Sequence, residues 1–264
     1  MPGLAVRGVS VSFGGLSALA DVSFDVPPAS VVGVIGPNGA GKTTLFNVIS
    51  GFVRPTSGSL EWEGRPFRPA PDRLVDAGIA RTLQSVGLFA RMTALENVMV
   101  GNARSRRAGF ASAVFALPRS DRDSRRLRED ALAWLRRLEV ADSADRLPST
   151  LPYPVQKRVA LARALVSRPR LLLLDEPAGG LGAEDLEPLQ ELIRSMPTGA
   201  APCSVLLVEH HMDLVMNVCD QVLVLDFGRR VAAGTPREVK SDPAVATAYL
   251  GADVPANQPT PGNR

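Results

Sequence analysis

The chain has 264 residues, 45% of them hydrophobic, which supplies enough apolar material for a sizeable core and excludes a wholly disordered protein. Its 30 Lys+Arg against 27 Asp+Glu leave a net charge of +3, too mild a surplus to predict a nucleic-acid partner. No apolar run is long enough to span a bilayer, no secretory signal is visible, and two cysteines, Cys203 and Cys219, make neither a disulfide framework nor a zinc spacing, so the cytosol is the expected compartment.

In chain order, residues 4–9, 22–26 and 31–35 read as short strands separated by Gly, Asp and Pro-Pro. A glycine-rich loop follows the third, and residues 42–50 read as a helix. Residues 56–64 form another short strand bounded by turns. From Arg104 to Arg128 eight arginines stand against only Asp121 and Asp123, a pattern that fits a solvated helix face or a contact with anionic lipid or an acidic partner. Over 121–140, Leu127, Ala131, Trp134, Leu135 and Leu138 recur at spacings of three and four, predicting an amphipathic helix with that stripe toward the core. Residues 156–167 read as a helix that stops before Pro169. Strands over 171–175, 204–209 and 222–225 then alternate with helices over 183–195 and from 212, the order of a parallel sheet flanked by helices. Asp226-Phe227-Gly228-Arg229 reads as a hairpin turn into Val231, and residues 251–264, rich in Pro, Asn and Gly from 255 on, as a disordered tail.

Two motifs carry chemistry. Gly36-Pro37-Asn38-Gly39-Ala40-Gly41-Lys42-Thr43 has the phosphate-loop spacing, with a strand before it and a helix after it. Backbone N–H groups at a helix N-terminus bind concentrated negative charge, and glycine lets the backbone curl close to it. Lys42 is placed for the β- and γ-phosphates and Thr43 for Mg²⁺; Thr44 is expected to support the loop and reach the α-phosphate. The second motif is the apolar strand 171–174 ending in Asp175 and Glu176. Asp175 is the expected Mg²⁺ ligand through water, and Glu176 the group that polarises the attacking water.

With these motifs in this order, the chain resembles ABC transporter ATPase subunits along residues 4–250, and within them the type that serves branched-chain amino acid importers. The resemblance implies an α/β fold: a P-loop NTPase core (about 4–87 and 160–250) with an N-terminal antiparallel β subdomain and an inserted α-helical subdomain (about 88–159) carrying the basic insertion. It implies ATP and Mg²⁺ as cofactors. It also implies a second ATPase subunit, transmembrane permease subunits and, indirectly, an extracytoplasmic solute-binding protein as partners, at the cytoplasmic face of the plasma membrane. By the same resemblance Phe13 stacks on adenine, Gln84 senses Mg²⁺ and the γ-phosphate, and His210 contacts the γ-phosphate. Residues 178–182 occupy the D-loop position. Arg81, Phe89 and the basic insertion become candidates for the surface that docks on the permease. Adjacent residues on an extended segment point in opposite directions, so a metal site from His210 and His211 is not expected.

The chain departs from the family in two elements that serve across a dimer. The signature segment reads Leu151-Pro152-Tyr153-Pro154-Val155-Gln156, with Pro152 in place of a serine and Pro154 in place of a glycine whose N–H points at phosphate. Proline has no N–H. Two lost bonds to phosphate amount to roughly 3–6 kcal/mol. Gly182 stands where the D-loop usually carries Asp or Asn. These departures predict an asymmetric heterodimer that hydrolyses this chain's ATP and holds the partner's ATP in a weaker site. The alternatives are a regulatory module with little hydrolysis, or an ABC ATPase of another transport or soluble system.

Overall fold

The computed structural model describes residues 3–82, 86–102, 118–199 and 201–250, with side chains of the third segment from Ser124. The chain opens with β1 (Leu4–Phe13), β2 (Leu16–Val26), β3 (Val31–Ile35), α1 (Lys42–Ile49), β4 (Ser57–Trp62), β5 (Arg65–Phe67) and β6 (Ile79–Arg81). Among the described residues three α-helices follow: α2 (Ala94–Val100), α3 (Pro118–Arg137) and α4 (Tyr153–Leu165). It ends with β7 (Leu171–Asp175), α5 (Ala183–Ser195), β8 (Ser204–Val208), α6 (Met212–Val218), β9 (Gln221–Asp226), β10 (Arg229–Gly234), α7 (Pro236–Ser241) and α8 (Pro243–Leu250).

The strands form two sheets. An antiparallel sheet runs β2-β1-β4-β5; a second runs β10-β9-β3-β8-β7-β6, parallel except for β10 at its edge. The central strands of the parallel sheet read as unbroken apolar runs because both of their faces are covered. Alternation of side chains divides them between two cores. Val32, Val34, Leu171, Leu173, Leu206 and Val208 face α1 and the antiparallel sheet. Val31, Ile35, Leu172, Leu174, Val205 and Leu207 face the other layer of helices. The β9–β10 turn is the expected two-residue hairpin: Asp226 pairs Arg229, and Phe227 and Gly228 both lie at positive φ.

Helices α2, α3 and α4 pack on one another. The expected stripe on α3 holds, with Leu127, Ala131, Leu135 and Leu138 buried and Trp134 partly so. Helix α4 begins at Tyr153, three residues earlier than the sequence reading put it. Pro152 is its N-cap and Pro154 lies in its first turn, positions where proline's fixed φ suits a helix and its missing N–H costs no intrahelical bond. Helix α2, absent from the sequence reading, starts with a capping box in which Thr93 accepts from Glu96 N–H and Glu96 accepts from Thr93 N–H. Of the basic insertion, residues 103–117 lie outside the described residues; Arg125, Arg126 and Arg128 are exposed on α3. The tail beyond residue 250 also lies outside them.

Asn97 on α2 is fully buried and acts as a hub. Its Oδ1 accepts from Phe89 N–H at 2.7 Å, and its Nδ2 donates to the carbonyls of Phe89, Met92 and Thr93 at 3.0–3.1 Å. These bonds close the loop before α2 onto the helix. Asn97→Leu keeps the bulk but leaves buried polar groups unpaired, so the urea unfolding free energy should fall by about 2–4 kcal/mol with an unchanged m-value. A midpoint like that of the unsubstituted protein would show that the hub is dispensable.

Candidate active site

Four neighbouring strands deliver their functional residues at one edge, the carboxyl ends of β3, β8, β7 and β6. In open α/β sheets this edge is where ligands bind. Strand β3 ends in the loop Gly36–Lys42, β7 in Asp175 and Glu176, β8 in Glu209 and His210, and β6 runs through Arg81 to Thr82. Gln84 falls among residues 83–85, outside the described residues.

The loop's shape follows from glycine. Gly36 has φ 149, and a Cβ there would stand 2.1 Å from Leu225 O. Gly41, the N-cap of α1, has φ 99, and a Cβ would press on Ala18 O. Pro37, Asn38 and Gly39 form the outer curve, with Asn38 and Gly39 exposed, and Ala40 is tied inward by N–H to Pro37 O at 3.2 Å. No side chain caps α1, so its first N–H groups point into the loop as donors for an anion. Lys42 is buried, and its Nζ donates to Gly36 O (2.6 Å) and Pro37 O (2.9 Å). Burial pulls its ammonium down from the usual lysine range, while the nearby Glu176 and Asp175 carboxyls push it back up. Thr43 is exposed in the first turn and Thr44 half-buried. Phe13, 52% exposed, ends β1 at the tip of the β1–β2 hairpin; the later part of that hairpin, at Ala18, borders Gly41.

Asp175 is held from behind. Its Oδ2 accepts from Arg81 Nη2 at 2.9 Å, and only 9% and 4% of the two side chains are exposed. Arg81 Nη1 donates to Asn47 Oδ1 (2.9 Å) and Ser50 Oγ (2.6 Å) on the helix that follows the phosphate loop. Its guanidinium also lies 5.7 Å and 5.8 Å from the ring centroids of Phe46 and Phe52. Arg81 is therefore no part of a docking surface, contrary to the sequence reading; it ties β6, α1 and β7 together inside the protein. Phe89, the other named docking candidate, is half-exposed with Arg163 over its ring. Burial pushes the Asp175 carboxyl up, its bond and charge pairing with Arg81 pull it down, and Glu176 adds a push upward.

Glu176 is partly buried, with φ 47, a left-handed conformation rare for a non-glycine residue. Its N–H bonds Val208 O at 2.9 Å, which ties it to β8. Lys157 on α4 clamps the segment after it, donating Nζ to the carbonyls of Glu176, Pro177 and Gly179. Burial lowers the Lys157 ammonium, and Glu209 and Glu176 oppose that shift. Glu209, missed in the sequence reading, is fully buried. Its Oε1 accepts from Ala178 N–H (2.7 Å) and its Oε2 from His210 and His211 N–H (2.9 and 3.1 Å). A carboxyl inside an otherwise apolar strand end, one residue before a histidine, was its signal.

The two histidines do not point apart. Their ring centroids are 4.5 Å from each other, because α6 begins at once after His211 and bends the extended segment there. His210 is exposed. The oxygen donors at this edge, Thr43 and Asp175, suit a hard cation such as Mg²⁺, and the arginine bond fixes the Asp175 carboxylate through its Oδ2.

The ABC transporter family profile matches residues 19–179, and that of the branched-chain amino acid ATP-binding cassette transporter matches residues 229–255. The chain belongs to the ABC transporter family. It is an ATP-binding cassette of that family, an ATPase coupled to transport. It is 40% identical over 251 residues (95% of this chain, 98% of the relative) to the high-affinity branched-chain amino acid transport ATP-binding protein BraF of Pseudomonas aeruginosa. It is 38% identical, with the same coverage, to LivG of Escherichia coli K12, described in the same words. Among solved structures, a nucleotide-free ATP-binding cassette from an ABC transporter aligns with TM-score 0.81 at 29% identity, covering 94% of this chain and 99% of its own. A cassette in its ADP conformation aligns with TM-score 0.80.

In this ABC cassette, the Arg81–Asp175 pair makes a direct test. Removing one partner of a buried pair leaves an uncompensated charge at a cost of about 3–5 kcal/mol. Arg81→Met should lower the urea unfolding free energy by that order, and adding Asp175→Asn should recover part of the loss. Strictly additive losses in the double-mutant cycle would show that the two residues are not coupled.

Proposed function

We propose that this cassette powers import of branched-chain amino acids or related small solutes through separate transmembrane permease subunits, at the cytoplasmic face of the plasma membrane. The near full-length likeness to BraF supports the substrate class. Among the described residues no helix is long and apolar enough to cross a membrane.

In this reading the loop from Gly36 to Thr44 holds the ATP phosphates on backbone N–H groups. Lys42 exchanges its two carbonyl partners for the β- and γ-phosphates, and Phe13 stacks on adenine. Magnesium, when bound with the nucleotide, neutralises phosphate charge; Thr43, Asp175 and Gln84 are the residues that would hold it. Glu176 orients and polarises the attacking water. Its backbone, fixed by Val208 O and by the Lys157 clamp, keeps the carboxyl aimed in one direction. His210, on a segment fixed by Glu209, contacts the γ-phosphate. The observation that carries the hydrolytic reading is this convergence of phosphate loop, Asp175, Glu176 and His210 on one sheet edge. Gln84 and the helices from α2 to α4 pass the motion to the permease, with Phe89 and the basic insertion as the docking surface.

We further propose that the cassette works in a heterodimer. The first turn of α4 is the segment offered to the partner's ATP, and Pro152 and Pro154 there have no N–H to donate. The partner's ATP is then held in the weaker of two sites, while this chain's own nucleotide residues are complete. ATP turnover should be low for the chain alone and appear on mixing with its ATPase partner. In that mixture Glu176→Gln should abolish most turnover, while the matching substitution in the partner should cost far less. Comparable turnover by the chain alone would sink the asymmetric dimer, and silence of the full complex would favour a regulatory module. Uptake of labelled leucine into proteoliposomes holding the assembled importer checks the solute class.

A further inference from the structure

His210 and His211 are the only histidines in the chain. Both imidazoles are exposed, with ring centroids 4.5 Å apart and planes tilted by 35°. Glu209 beneath them is fully buried. One ligand atom from each of the three residues lies within 4.8 Å of the others. The carboxyl is held in place by the Ala178, His210 and His211 N–H groups, and its Oε2 stands 3.8 Å from His210 Nδ1. A carboxylate offers about four lone-pair sites, so three N–H bonds still leave it able to accept once more. The result is a fixed acidic oxygen with two movable nitrogen donors above it.

We propose that Glu209, His210 and His211 form a binding site for a borderline divalent transition metal, with Zn²⁺ the best match, and that the bound metal withdraws His210 from the nucleotide. Two imidazoles and one carboxylate oxygen form a nitrogen-rich donor set that favours Zn²⁺ over the all-oxygen preference of Mg²⁺. Because both rings are exposed, they can turn onto a shared ion while Glu209 stays fixed, and water completes the coordination. The cysteines do not compete. Cys203 and Cys219 are buried, and desolvation pushes each thiol up to about 12, so neither supplies a thiolate at neutral pH. Metal binding stands on this geometry alone; the inhibition it causes rests on the proposed contact of His210 with the γ-phosphate.

The test uses His211→Asn. His211 has no part in the proposed hydrolysis, and it is the N-cap of α6 with no side-chain cap bond, a position where Asn is favoured, so the variant should fold and turn over ATP normally without zinc. The first measurement is calorimetric titration of the nucleotide-free full chain with ZnCl₂. One ion per chain is expected, and His211→Asn should weaken binding by more than the roughly 10–100-fold typical of an outer-shell change. The second is MgATP turnover of the assembled complex against ZnCl₂, where the inhibition curve of His211→Asn should move to higher zinc by a similar factor. Zinc captured by ATP or exchanged for magnesium slows both proteins alike, so the comparison removes it. No binding, or equal affinity of the two proteins, overturns the site. Binding that His211→Asn abolishes, with inhibition unchanged between them, upholds the site and overturns the role of His210 in turnover.

Discussion

The constraint on which everything else depends is that the central strands are buried on both faces. β3, β7 and β8 give alternate side chains to two separate cores, so no polar group can leave these strands except at their ends. Phosphate loop, Asp175, Glu176, Glu209 and His210 are all end residues. Their convergence needs no long-range steering, because parallel pairing alone brings the carboxyl ends of neighbouring strands to one edge. Each then faces a local problem: a charged or polar group at the boundary of an apolar core must find partners or face solvent.

Arg81 and Glu209 are the solutions to that problem, and they couple elements that the sheet only aligns. Arg81 answers the Asp175 carboxyl and also grips Asn47 and Ser50, so the position of the acid is tied to the helix that carries Lys42 and Thr43. Glu209 answers three backbone N–H groups, so the segment after Glu176 and the segment of His210 share one anchor. Each group also offers something to a ligand. The Asp175 carboxylate is the oxygen donor proposed for a cation, and the backbone around Glu209 presents two imidazoles outward.

Much of this was legible in the sequence wherever a local rule acts alone. The phosphate loop needs glycine at fixed spacing, and the strand 171–175 combines an apolar run with two acids, so both were placed correctly from the sequence. The hairpin at Phe227-Gly228 and the stripe on α3 likewise follow from local chemistry. Three readings failed, one because the deciding partners are distant along the chain and two because an element is short or ends early. Arg81 reads as a surface cation until Asp175, 94 residues away, and Asn47, 34 away, are seen around it. The histidines read as divergent because alternation holds only while a strand continues, and β8 ends at Val208. Helix α2 was missed although its Thr93…Glu96 capping box stood in plain sight, because α2 covers only 7 residues and shows little periodicity. Gln84 and most of the basic insertion lie outside the described residues.

The prolines of the signature segment can be weighed in the same terms. They remove donors that a partner's nucleotide would use, yet within the chain they cost α4 nothing. Pro152 O still accepts from Gln156 N–H at 3.0 Å, and two fixed φ angles stiffen the first turn. That turn supports this chain's own site. Tyr153 packs on Gly180, where a Cβ would come within 2.9 Å of the ring, and Lys157 one turn further holds the carbonyls following Glu176. In the proposed heterodimer the same helix presents a donor-poor tip to the partner's ATP, while its flank holds the segment that follows Glu176. A mutation drifting toward general loss of activity would be expected to loosen both. Loss confined to the tip, with the phosphate loop, Asp175, Glu176 and His210 kept, is the pattern that the proposed asymmetric dimer requires.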